Sequence, residues 1–131
     1  MSETMREKFL KAALVVFGVI FFLIYPLGMV WPSGVRWQGE QGEYYFQMIC
    51  GVYAVLGAYL IIAARNPPEN RSLISFAISV NIAHAAIMAA QSIHDQRERG
   101  HLLGDVPALL LVAGVLWLLS PVKHETPIAG S

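Results

Sequence analysis

The chain has 131 residues, 56% of them hydrophobic and only 14% charged, with nine Lys and Arg against nine Asp and Glu. A soluble domain carries roughly 25% charge, and the mean hydropathy here is +0.53 with a pI of about 6.9. Such a composition excludes a disordered chain and a nucleic-acid-binding domain, which needs a basic footprint. The single cysteine, Cys50, excludes a disulfide framework and any CxxC redox or zinc site. What remains is an integral membrane protein with a single domain over residues 1–131.

The first apolar run spans about 9–31, longer than the ~20 residues needed to cross a bilayer core. It is too long for a signal-peptide h-region, and Tyr25-Pro26-Leu27 offers no A-x-A cleavage site. Pro26 removes a backbone donor and clashes with the carbonyl of Phe22, so a kink is expected there. Residues 32–43 form a Gly- and Pro-containing loop, with Trp37 at headgroup level. The second span covers 44–64, with Tyr44 and Tyr45 at one interface. Gly51, Ala54 and Ala58 form a small-residue stripe for helix packing or self-association, bordered by Gly57.

The polar turn from Arg65 to Arg71 joins spans two and three as a helical hairpin. Span three covers 72–93, with Ser72 as its expected N-cap, and its helix is expected to continue to Glu98. After a loop holding Gly100, His101 and Asp105, the fourth span covers 106–122. Asp105 is its expected cap, Pro107 stands in its first turn and Pro121 ends it. The expected fold is therefore all-α: a four-helix, up-down-up-down membrane bundle. Arg6, Lys8, Lys11, Arg65, Arg71 and Lys123 fall on one side, and Arg36, Arg97 and Arg99 on the other. The positive-inside rule places both termini in the cytoplasm, and a bacterial cytoplasmic membrane is the expected location. No lipidation motif is present.

Chemistry concentrates on span three. Asn81, His84, Met88, Gln91, Asp95 and Glu98 share one helical face. Lipid cannot satisfy such a stripe, so it must turn into the bundle or a cavity. With Gln47 from span two, the residues Asn81, His84, Met88, Gln91 and Asp95 are the expected lining of a pocket open to the non-cytoplasmic side. Bland helix–helix hydrogen bonding competes with this reading, at about 0.6 kcal/mol per contact. The alternative is metal handling at the outer carboxylates and histidines, with Glu43, His94, Asp95 and His101 as ligands for a divalent ion. A softer variant would bind copper(I) at His84, Met88, Met48 and Cys50. Only His84 is deep enough to ligate haem, so one chain cannot make a bis-histidine site, whereas a symmetric dimer could. Span one lacks the carboxylate of a small multidrug exporter, and nothing marks Ser75 or Ser79 as an activated nucleophile; no catalytic constellation is found.

The stretch GVYAVLGAYLIIAARNPPENRSLISF, followed by His84-Ala85 and Met88, resembles small four-span bacterial inner-membrane proteins of uncharacterised function. The resemblance covers spans two and three and implies a fold and a compartment, with no residue roles. The expected function is non-enzymatic: a binding or accessory protein of the bilayer, partnered by lipid and by a second copy or larger membrane complex, or else a structural subunit of such a complex.

Overall fold

The computed structural model describes residues 2–32 and 42–120. The expected roles of Arg36, Trp37, Pro121 and Lys123 lie outside these residues. Five α-helices and two 3-10 segments, with no strand, make up the described residues.

Helix α1, Glu3–Phe22, starts at Ser2, whose side chain accepts a hydrogen bond from the Met5 amide at 3.2 Å. Helix α2, Ile24–Val30, follows after a bend of 60°. The bend sits at Leu23 rather than at Pro26 itself. Proline cannot donate to the carbonyl four residues back, that of Phe22, and its ring pushes that carbonyl away. The Leu23 amide turns back to the Ile20 carbonyl at 2.9 Å. Replacing Pro26 by alanine restores the missing donor and is expected to straighten the pair. Spin labels at Val15 and Val30 should then move apart; an unchanged distance would show that packing, not proline, sets the bend.

Helix α3 covers Gly42–Ala63, and a 3-10 turn over Pro67–Asn70 leads into α4, Arg71–His94. Ser72 is not the cap: Asn70 holds that position, and its amide donates to the Asn66 carbonyl at 2.9 Å. Nor does α4 reach Glu98. Asp95 leaves the helical backbone at φ −117°, ψ 114°, and its carboxylate accepts from the Arg97 amide at 3.0 Å, starting the 3-10 segment Gln96–Leu102. Helix α5, Asp105–Leu119, is capped by Gly104, with Asp105 as its first residue. At about 1.5 Å per residue it is only some 22 Å long.

Three helical stretches are long and apolar enough to cross a membrane, and four if the bent α1–α2 pair is one span. Their outward faces are apolar as well. Along α3 these include Met48, Val52, Val55, Tyr59 and Ile62, all more than half exposed. Water would disfavour such a surface, whereas lipid tails match it.

Successive long helices run in opposite directions. The end of α3 lies beside the start of α1, where Lys11, Ala12, Ala64 and Arg65 line one groove. The end of α5 lies there too: the Arg6 guanidinium donates to the Leu118 carbonyl at 2.9 Å, placing a cation on carbonyls that the last turn leaves unpaired. This is the near end; the 95–104 connection and the start of α3 form the far end.

The closest pairings are α1 with α3 and α4 with α5, while α3 and α4 touch more sparsely. Spans two and three are thus connected by a turn but are not each other's main packing partners. The α1–α3 contact is close because two glycines face each other. A Cβ on Gly18 would lie 2.6 Å from the Gly57 carbonyl oxygen, and one on Gly57 would lie 2.5 Å from that of Gly18. Gly51, expected in the packing stripe, faces open space instead, and Ala54 and Ala58 are only half-buried. The core proper joins Leu14, Phe17 and Phe21 of α1, Leu56 and Leu60 of α3, Ile74 and Ala85 of α4, and Val112 and Leu116 of α5.

Candidate functional site

Halfway along α3 and α4 three polar side chains meet. Asn81 is fully buried, because the inward face of α4 runs through Ile74, Ala77, Asn81, Ala85 and Met88. Its amide nitrogen donates to the Ala77 carbonyl at 2.6 Å. The Tyr53 hydroxyl, from α3, lies 3.0 Å from Asn81 Oδ1 and 2.9 Å from His84 Nδ1. An edge-on contact with Phe21 of α1, ring centres 4.8 Å apart, fixes the Tyr53 ring. A buried polar group must find a partner inside an apolar bundle, and here each one does. Tyr53 was not marked by the sequence pattern. The available signal was a phenol at mid-span, which needs a hydrogen-bond partner when buried.

His84 stands at the edge of the inward face, half-buried, and borders two cavities. The larger, of about 610 Å³, lies between α3 and α4 and is lined by Phe46, Met48, Ile49, Val52, Ile87 and Met88, with His84, Gln91 and His101 as polar points. This cavity accounts for the sparse α3–α4 contact. The second, of about 410 Å³, lies between α1–α2, α3 and α5, and is almost wholly apolar apart from His84, Tyr53 and Asp105. Of the expected pocket, His84, Met88 and Gln91 line the larger cavity, and Asn81 anchors the chain behind it. Gln47 and Asp95 do not line it. Gln47 is exposed and donates to Glu43 at 3.1 Å. Asp95 is bound by Arg97, whose guanidinium lies 3.2 Å away. Hydrogen bonds from the Arg97 side chain and amide hold the Asp95 carboxyl below the usual carboxylate range.

At the far end His101 is sealed between two carboxylates. Its Nε2 lies 2.9 Å from Glu98 and its Nδ1 2.8 Å from Asp105, and His101 and Glu98 are 0% and 1% exposed. With an acceptor on each ring nitrogen, the cluster carries a proton on both nitrogens or on one carboxylate. The 3-10 segment makes this possible by turning Glu98 inward instead of along the exposed continuation of α4. Glu98, His101 and Asp105 stand three and four residues apart, a spacing visible in the sequence.

The expected metal set does not converge. His94 is exposed, Asp95 faces Arg97, Glu43 interacts with Gln47, and both nitrogens of His101 are taken. Among the described residues no three His, Cys, Asp or Glu side chains are placed to hold a metal ion. Of the copper set, Met48, His84 and Met88 line the larger cavity, whereas Cys50 is not part of its lining.

A helical protein with apolar outer faces and a satisfied polar chain inside is compatible, by composition, with a membrane protein. Residues 4–126 match the family of unknown function DUF6632, and the chain belongs to that family. No curated protein and no solved structure matches it.

Proposed function

We propose that this chain is a four-span protein of a bacterial cytoplasmic membrane, with α1–α2 as one bent span and both termini inside. On this reading it is a non-enzymatic binding protein that holds a small lipophilic molecule between α3 and α4. The observation that carries the reading is the cavity of about 610 Å³ beside His84. Its size falls in the roughly 300–1,000 Å³ range of small-molecule sites, and an apolar lining with a few fixed polar groups is their usual character. Met48, Val52 and Ile87 line it and are more than half exposed on the outer surface, so a ligand would enter sideways from lipid.

Two measurements test this. Reporter fusions at Gln38 and Asn70 should report opposite sides, with Asn70 cytoplasmic; a cytoplasmic signal at Gln38 would overturn the orientation. For the cavity, Val52→Trp should fill its mouth without touching the core. Extraction and mass spectrometry of the purified protein should show a lipophilic molecule, enriched over bulk lipid, that Val52→Trp loses while its thermal unfolding is unchanged. Equal extracts from the two proteins would count against the binding reading.

A further inference from the structure

The hydrogen-bond chain behind the cavity dictates what His84 can offer to a ligand. The Asn81 amide is oriented by the Ala77 carbonyl, which can only accept; the nitrogen must face it at 2.6 Å. Asn81 Oδ1 therefore faces Tyr53, and an amide oxygen only accepts. The single hydroxyl hydrogen of Tyr53 is committed to that oxygen, 3.0 Å away. His84 Nδ1, at 2.9 Å from the same hydroxyl, finds only a lone pair and must carry the hydrogen itself. In a neutral imidazole one nitrogen donates and the other accepts. Nε2 is then left as a bare acceptor on a side chain that lines both cavities. It has no partner among the described residues and is not one of the sealed, unpartnered atoms.

We propose that the site selects a lipophilic molecule carrying a hydrogen-bond donor, such as a long-chain alcohol or a phenol, over the matching ether or ketone. The selection is made by His84 Nε2 and enforced from behind by Tyr53 and Asn81. This rests on the cavity reading above and adds the ligand's polarity to it. An acceptor-only head would meet the lone pair of Nε2 and lose its own hydrogen bonds on entering. An alcohol of the same length would keep one.

The test uses the full chain in nanodiscs of phosphatidylcholine, whose headgroup has no donor of its own. Binding of 1-dodecanol and of its methyl ether is measured for wild type, His84→Leu and Tyr53→Phe. Partition into lipid is common to all three proteins, so the His84→Leu ratio of affinities is the baseline. One hydrogen bond is worth roughly a threefold to tenfold preference, and wild type should favour the alcohol by that factor over the baseline. Tyr53→Phe frees Nδ1 to accept and Nε2 to donate, so it should bind both ligands and lose most of the preference. Equal ratios in wild type and His84→Leu, with both ligands bound, would overturn the donor selection and leave the cavity reading standing. Binding of neither ligand would overturn both. Nitrogen-15 NMR of labelled histidine gives a check that needs no variant to fold: the His84 resonances should show a protonated Nδ1 and an unprotonated Nε2, and the reverse assignment would sink the proposal.

Discussion

Gly57→Ala should weaken the α1–α3 contact and destabilise the protein, although alanine is the better helix former. Alanine gains roughly 1 kcal/mol over glycine in a helix interior. Against that, the new methyl would lie 2.5 Å from the Gly18 carbonyl oxygen and 3.1 Å from Phe21 Cβ. The first of these atoms is backbone and cannot swing aside, so the helices must part. Overpacking of this kind costs about 1–3 kcal/mol, and parting the helices also loosens the edge contact between Phe21 and Tyr53. Gly57→Leu adds further methylenes at the same point and should separate the pair outright. Gly51→Ala is the control: nothing lies within 4 Å of its new Cβ, so only the propensity gain remains. Thermal or denaturant unfolding in detergent should rank Gly51→Ala at or above wild type, with Gly57→Ala below and Gly57→Leu lowest. A Gly57→Ala protein as stable as Gly51→Ala would show that the close approach is not needed.

His101→Leu should be the most destabilising single change at the far end. It removes the group that binds Glu98 at 2.9 Å and Asp105 at 2.8 Å, and leaves Glu98, 1% exposed, without its histidine partner. Breaking a buried charged pair by deleting one member typically costs about 3–5 kcal/mol, because the partner's desolvation is no longer compensated. Glu98→Gln keeps an oxygen that can accept from the ring and should cost markedly less. The comparison is an unfolding curve for each variant, read with a protease that cuts at Arg97 or Arg99 to report opening of the 95–104 connection. His101→Leu should open it and Glu98→Gln should not. Equal stabilities would mean that the ion cluster contributes nothing beyond packing.

Periodicity and helix-breaking residues carried most of the element boundaries. Expected spans over 44–64 and 72–93 meet helices Gly42–Ala63 and Arg71–His94. The proline in the first run predicts a bend, and the bend is there, one turn upstream. Capping was harder to read. Ser72 and Asp105 are good capping types, but Asp105 instead pairs with His101, a contact made across a 3-10 turn. The polar stripe on α4 was legible as a stripe; Asn81 and Met88 on it are buried, His84 is half-buried and Gln91 is exposed, and His84, Met88 and Gln91 line a cavity. Its continuation past Asp95 was not, because a carboxylate that can bond the amide two residues on ends a helix as readily as it extends one.

What the sequence determined by itself is the solvent this protein suits and the depth of its polar residues. Both follow from counts and spacings along one chain: few charges, long apolar runs, Asn81 and His84 far from either end of their helix. Which residues meet was left to the tertiary structure. Gly51 and Gly57 look alike on α3, and only the presence of Gly18 opposite makes one a contact point and the other a bare patch. Tyr53 looks like one more aromatic in an apolar helix, and only its approach to Asn81 and His84 gives the histidine a fixed tautomer. Helix periodicity fixes which direction a side chain points within its own helix, while partners are set by the rotation and offset of neighbouring helices. Those are fixed by close packing between chains of atoms far apart in sequence.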